Sequence, residues 1–227
     1  MWTVEKRFGK ERRYVTEFVT PNTPDVKDLA YAVGKPNIEE TIAAIASWVW
    51  ANIDYPDGVI NGDWHELKAF TTGWFTPMLK FSTGDFWRFP AEVLGQRTKD
   101  GRLIGDCEDS SFVCSSLLRN YILPSDILVH LGRYKIYWHA WVEVRHNGVW
   151  YILETTKRHP TWALPVPDKH YKSYGYFNDQ TAEEIIPGYF SSLAAVGVEE
   201  QATTIEKILD IAEFIETIDR NFKLGTI

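Results

Sequence analysis

Cysteine is nearly absent: two occur in 227 residues, Cys107 and Cys114. They lie seven apart in a segment that reads as one helix, so at 1.5 Å per residue they stand roughly 10 Å from each other, beyond the reach of a disulfide. A disulfide-stapled scaffold is thereby excluded, and two free thiols predict a reducing compartment, that is, a cytoplasmic protein. Long apolar runs are missing too. The most apolar stretch, Thr41 to Ile53, is too short to span a bilayer and predicts a core helix, so no membrane association is expected. The opening Met1-Trp2-Thr3-Val4-Glu5-Lys6-Arg7 has no apolar segment behind its charges and does not read as a signal peptide. Positive charge is in deficit, with 24 Lys and Arg against 31 Asp and Glu for a net −7, which argues against a nucleic-acid partner. No Gly-x-Gly-x-x-Gly or phosphate loop is present, so nucleotide binding has no support.

Metal-binding spacing is also wanting. There is no Cys-x-x-Cys or His-x-x-x-His pair, and His65, His130, His146, His159 and His170 are scattered. Cys107, His139 and Glu154 could in principle supply three zinc ligands with a fourth position open. Asp106, Glu108 and Asp109 lack the spacing of a calcium loop and read as a helix start that complements the backbone dipole. The expectation is therefore no cofactor and no metal.

What the chain has in abundance is aromatic and apolar mass: 15% aromatic, ten tryptophans and 44% hydrophobic residues. That is ample to offset chain entropy and excludes disorder. With no repeat and no linker-like stretch, 1–227 reads as a single domain. Tyr14 to Val19 has strand character, Thr23-Pro24 opens a helix, and Asn37 opens another with Glu40 as capping partner. Ile38, Ile42, Ile45, Val49 and Ile53 give that second helix a buried stripe. Residues 58–104 read as irregular apart from a short helix at Pro90 to Gly95. Asp106 caps the next helix, whose Phe112, Val113, Leu117 and Leu118 face inward. Ile127 to Leu131 reads as a strand. Tyr134 to Arg145 and Val149 to Glu154 flank Asn147-Gly148, a type I′ hairpin. Pro160 to Pro187 reads as a Pro- and Tyr-rich loop, and Thr203 with Glu206 caps a last amphipathic helix. Helices first and a sheet after indicate α+β, with N-terminal helices packed on an antiparallel sheet.

Cys107 stands in the first turn of its helix, where the dipole lowers a thiol pKa from about 8.5 and favours a nucleophilic thiolate. Asp106, Glu108 and Asp109 oppose this, so a nearby cation is required. The hairpin can supply one. If His146 pairs with Val149, partners sum to 295, which sets Trp141 opposite Glu154 and His139 opposite Thr156. Alternation puts His139, Trp141 and Glu143 on one face with Glu154, the diagonal neighbour of His139. A carboxylate that fixes an imidazole tautomer leaves the other ring nitrogen for the thiol. Thr156 is a rival orienting group.

Gly105-Asp106-Cys107-Glu108-Asp109, Leu117-Leu118-Arg119, His139-Ala140-Trp141-Val142-Glu143-Val144 and Trp150-Tyr151-Ile152-Leu153-Glu154-Thr155-Thr156 together resemble the transglutaminase-like core. The match covers 105–156. Weaker similarity runs upstream through Ala46-Ser47-Trp48-Val49, Asn52-Ile53-Asp54-Tyr55 and Trp87 to Leu94. The resemblance implies a papain-like fold, with a catalytic core of about 37–156 and a C-terminal loop and helix in 157–227. It implies Cys107 as nucleophile, His139 as base then acid, Glu154 in the position usually held by Asp, and Trp87 as an oxyanion donor. The activity implied is thiol-dependent acyl transfer on a protein or peptide substrate: hydrolysis of a peptide, isopeptide or other amide bond. Transfer to an amine is the alternative, and a catalytically silent protein-binding module is the rival from another class.

Overall fold

The computed structural model describes residues 3–5, 12–54, 87–95, 97, 101–135, 137–156 and 163–186. The helix expected from Thr203 and most of the aromatic segment from Trp64 to Trp87 lie outside them. The architecture is α+β. Helices α1 (Pro24–Val33), α2 (Ile38–Asn52), α3 (Pro90–Gly95) and α4 (Cys107–Leu118) pack beside a six-stranded antiparallel sheet. The strands are β5 (Ile127–Tyr134), β6 (Tyr137–His146), β7 (Val149–Leu153), β8 (Ala163–Pro165), β9 (Tyr171–Phe177) and β10 (Ala182–Glu184), in spatial order β10-β9-β5-β6-β7-β8. Two small sheets complete it: β1 (Thr3–Glu5) antiparallel to β2 (Arg12–Tyr14), and β3 (Ile53–Asp54) parallel to β4 (Leu103–Ile104).

The helices begin where the local chemistry directs. Pro24 fills the first position of α1, where no N–H is needed. Asn37 Oδ1 accepts the Glu39 N–H at 2.8 Å to start α2. The α2 stripe buries Ile42, Ile45 and Val49, whereas Ile38 stays 39% exposed. Asp106 Oδ1 accepts the Asp109 N–H at 3.1 Å to start α4. That helix is buried on nearly every side and not on one face only, because α1, α2 and α3 cover it from one side and β5 and β6 from the other. Phe112, Val113, Cys114, Leu117 and Leu118 are fully buried. Each large apolar side chain there stabilises the fold by about 1.5–3 kcal/mol, so α4 is fixed firmly against the sheet.

Three expectations are corrected. The strand expected over 14–19 stops at Tyr14, and Val15–Phe18 is a 3₁₀ turn. The turn wins because Val15 and Phe18, three apart, are both buried, while Glu17 accepts the Tyr14 N–H at 3.0 Å. The strand expected to end at Leu131 continues through Gly132 and Arg133, and the hairpin turns at Lys135 (φ 55), so that Tyr134 pairs with Tyr137. The loop expected over 160–187 contains β8, β9 and β10. Strand β9 is flanked on both sides by β5 and β10, and Tyr174, Gly175 and Phe177 are buried, so the polar alternation that marks a half-exposed strand is absent.

Candidate active site

The Asn147-Gly148 turn has both residues at positive φ (51 and 78), which is the type I′ geometry. Its register is the expected one: His146 pairs with Val149, Val144 with Tyr151 and Val142 with Leu153. In such a hairpin the pair next to the turn exchanges two hydrogen bonds, and so does every second pair after it. The N–H of Ala140 would therefore bond to Thr155 if the ladder continued. It does not continue. Strand β7 ends at Leu153, and Thr155 Oγ1 bonds instead to Ser110 Oγ (3.0 Å) and Ser111 Oγ (3.2 Å) on α4. The Ala140 N–H, left without a strand partner, donates to the sulfur of Cys107. The start of α4 thus lies against the split between β6 and the departing chain.

His139 precedes Ala140, and its Nε2 is 2.8 Å from Glu154 Oε2. Its side chain is 12% exposed, whereas that of Glu154 is 1% exposed. Glu154 has a full set of donors. Oε1 accepts the Thr156 N–H (2.9 Å) and hydroxyl (2.8 Å), and Oε2 accepts the Tyr171 hydroxyl (2.8 Å) beside His139. Burial pushes this carboxyl up, but the His139 bond and charge and the Thr156 donors outweigh it and hold the carboxyl below its ordinary value. Thr156, expected as a rival to Glu154, is its support.

The thiol departs from expectation. Cys107 is buried, and its sulfur donates to Glu108 Oε2 at 3.0 Å. Burial first, then the charges of Glu108 and Asp106, hold its pKa well above the ordinary thiol value, against the lowering expected from the helix dipole. The Ala140 N–H acts the other way and is outweighed. Asp109 is not among the opposing groups. It is 1% exposed and paired with Arg88, itself 2% exposed, whose Nε lies 3.0 Å from Asp109 Oδ2. Arg88 also donates to the Ile104 carbonyl at 2.7 Å, which ties α4 to β4. Thiol and imidazole share no hydrogen bond in this resting arrangement; Nδ1 of His139 is the nitrogen not engaged by Glu154.

Cys114 is fully buried within α4, and burial pushes its thiol up to about 12. Neither cysteine forms a disulfide. Trp87 is buried in an aromatic cluster: edge-on to Phe18 (5.2 Å), tilted on Phe112 (4.9 Å) and stacked on Phe177 (5.9 Å). The structure thus brings His139 and Glu154 into direct contact and Cys107 onto the neighbouring peptide, while Trp87 sits in the core. Among the described residues no cluster of three or more His, Cys, Asp or Glu could hold a metal ion, and no helix is long and apolar enough to cross a membrane. Sequence reasoning missed the Tyr171 donor, the Arg88–Asp109 pair and the Ser110–Thr155–Ser111 hydroxyls. Only Tyr171 carried a signal, as the start of an aromatic run.

No protein-family model matches the chain, and no curated protein does. Among solved structures the chain is similar to a protein from Cytophaga hutchinsonii provisionally named a cysteine protease, at 16% identity and a TM-score of 0.35. The match covers 67% of this chain and 44% of that one, so the chain spans less than half of its length.

Proposed function

We propose that Cys107, His139 and Glu154 form the triad of a transglutaminase-like, thiol-dependent enzyme that hydrolyses a peptide, isopeptide or other amide bond. The observation that carries this reading is the His139 Nε2–Glu154 Oε2 bond, one residue from the Ala140 N–H that holds the Cys107 sulfur. Glu154, kept ionised by its donors, fixes the imidazole so that Nδ1 is the basic nitrogen and stabilises the imidazolium when it forms.

The raised thiol pKa makes the resting state a neutral thiol and not a preformed thiolate. The thiol leaves Glu108 and gives its proton to Nδ1 as sulfur attacks the amide carbon, and the carbonyl π electrons move to oxygen. The backbone N–H of Cys107, among the donors that a helix's first turn leaves free of helical acceptors, is suited to receive that oxyanion. Collapse breaks the C–N bond, Nδ1 protonates the departing amine, and a thioester remains. Water then adds to the thioester carbon with its proton passing to Nδ1. The acid leaves and the thiol regains its proton. A primary amine in place of that water gives amide exchange.

The second reading is a silent protein-binding module, favoured by one observation: the buried thiol held by Glu108. Alkylation with iodoacetamide separates the two. The triad requires Cys107 to react faster than Cys114, with selectivity lost in His139→Ala; equal sluggishness of both thiols near neutral pH would sink it. Turnover of a peptide library with and without an added primary amine, with Cys107→Ala as control, then assigns the acceptor.

A further inference from the structure

We infer that Tyr171 is a positioning residue of this site, turned onto the His139 face by a β-bulge so that its hydroxyl anchors Glu154. The inference rests on the catalytic reading above. Between β5 and β9 the pairs run Val129 with Phe177, His130 with Tyr176 and Leu131 with Gly175. They then resume as Gly132 with Ser173, Arg133 with Lys172 and Tyr134 with Tyr171. Tyr174 is the extra residue. Because side chains alternate, a one-residue slip moves every later side chain to the other face. Without the bulge Lys172 would oppose Tyr134, and Tyr171 would leave the face shared by His139, Trp141 and Glu154.

The bulge depends on Gly132. A Cβ there would lie 2.0 Å from the Lys172 carbonyl oxygen and 2.9 Å from Ser173 Cα, both backbone atoms that cannot swing aside. Gly132 and the extra Tyr174 together therefore deliver one hydroxyl to Glu154 Oε2, the oxygen that also faces His139. The Tyr171 ring is held by Tyr134 (centroids 4.8 Å) and, edge-on, by Trp141 (5.2 Å). Burial and the Glu154 charge raise the phenol strongly, so it remains a donor at any working pH. Among the described residues, the titratable groups that act on this carboxylate are His139 from β6 and Tyr171 from β9, with Tyr134 and Asp168 acting on the phenol in turn. A Glu side chain has one more torsion than Asp; the Tyr171 and Thr156 donors remove that freedom.

Tyr171→Phe tests this, because it keeps the ring and deletes the donor. The Glu154 carboxyl, followed by ¹³C NMR and assigned with Glu154→Gln, is expected to titrate at higher pH in the variant. Iodoacetamide alkylation of Cys107 is expected to slow roughly tenfold, the scale of one hydrogen bond to a charged group, with its acid limb moved to higher pH. A variant with unchanged Glu154 titration and an unchanged alkylation profile overturns the inference, even if its melting temperature falls. If wild-type Cys107 shows no selective alkylation, the catalytic reading fails on its own; the Glu154 titration still decides whether Tyr171 anchors the carboxylate.

Discussion

Two histidines on one face of the sheet, His139 and His130, each lie near a glutamate, and Trp141 stacks between them. Its ring is 19° from the His139 plane and 18° from that of His130. Their surroundings then diverge. His139 contacts a glutamate with donors on both oxygens, and it adjoins the peptide that holds the Cys107 sulfur. His130 Nδ1 shares a hydrogen bond with Ser173 Oγ at 2.9 Å, and its Nε2, 3.5 Å from Glu143, makes no hydrogen bond. Burial drives His130 down to about 3 and pushes Glu143 up, with only the Trp141 N–H opposing. On the proposed reading, a histidine and a carboxylate in proximity are not a catalytic pair by themselves. The carboxylate must be kept charged by other donors, and a nucleophile must lie within reach of the remaining nitrogen.

The largest test of that contrast is to exchange the two imidazoles for amides. Peptide turnover by His139→Gln should fall at least about 10³-fold, the scale on which a triad member matters, whereas His130→Gln should stay within severalfold of wild type. Equal losses would place both histidines in the same role. A middle-sized effect separates the two glutamates. Glu154 has a depressed folded-state value, so it contributes stability above the ordinary carboxylate range that is lost as pH falls through that range toward the folded value. The melting-temperature advantage of wild type over Glu154→Gln should accordingly shrink on acidification below about pH 5. Glu143 has the opposite sign: its raised value makes the charged form a cost at neutral pH, so Glu143→Gln should melt no lower than wild type there. His130 must also be deprotonated to fold, which removes stability as pH falls from about 6.5 toward 3. The smallest effect concerns the thiol. Glu108→Gln removes a neighbouring negative charge and replaces the carboxylate that accepts the thiol proton with a neutral amide, so the Cys107 alkylation midpoint should move to lower pH, with reactivity at neutral pH rising severalfold.

The parts of the site legible in sequence are those set by short-range geometry. Asn147-Gly148 permits one tight turn, so the register of β6 on β7, and with it the meeting of His139 and Glu154, follows from counting outward. Asp106 announces the start of α4 for the same local reason. Residues brought together by distant segments were not legible. Arg88 meets Asp109 across 21 positions, Thr155 meets Ser110 across 45, and Tyr171 reaches Glu154 only because Tyr174 is an extra residue in the ladder. Alternation counted along β9 alone cannot place Tyr171, since its face is decided by a partner strand. The thiol shows the same limit in energy: a dipole argument is local, whereas burial of Cys107 depends on everything packed around it.

The early end of the β6–β7 ladder gives the Ala140 N–H two possible acceptors, the backbone oxygen of Thr155 and the sulfur of Cys107. One more step of zipping would hand it to the strand and displace the thiol from its seat. What prevents that step is the pair of hydroxyls on Ser110 and Ser111, which draw Thr155 toward α4. Two buried serines whose hydroxyls bond to neither His139 nor Glu154 therefore act as a stop in the zipper, and the place where the sheet ceases to close is where the sulfur is held.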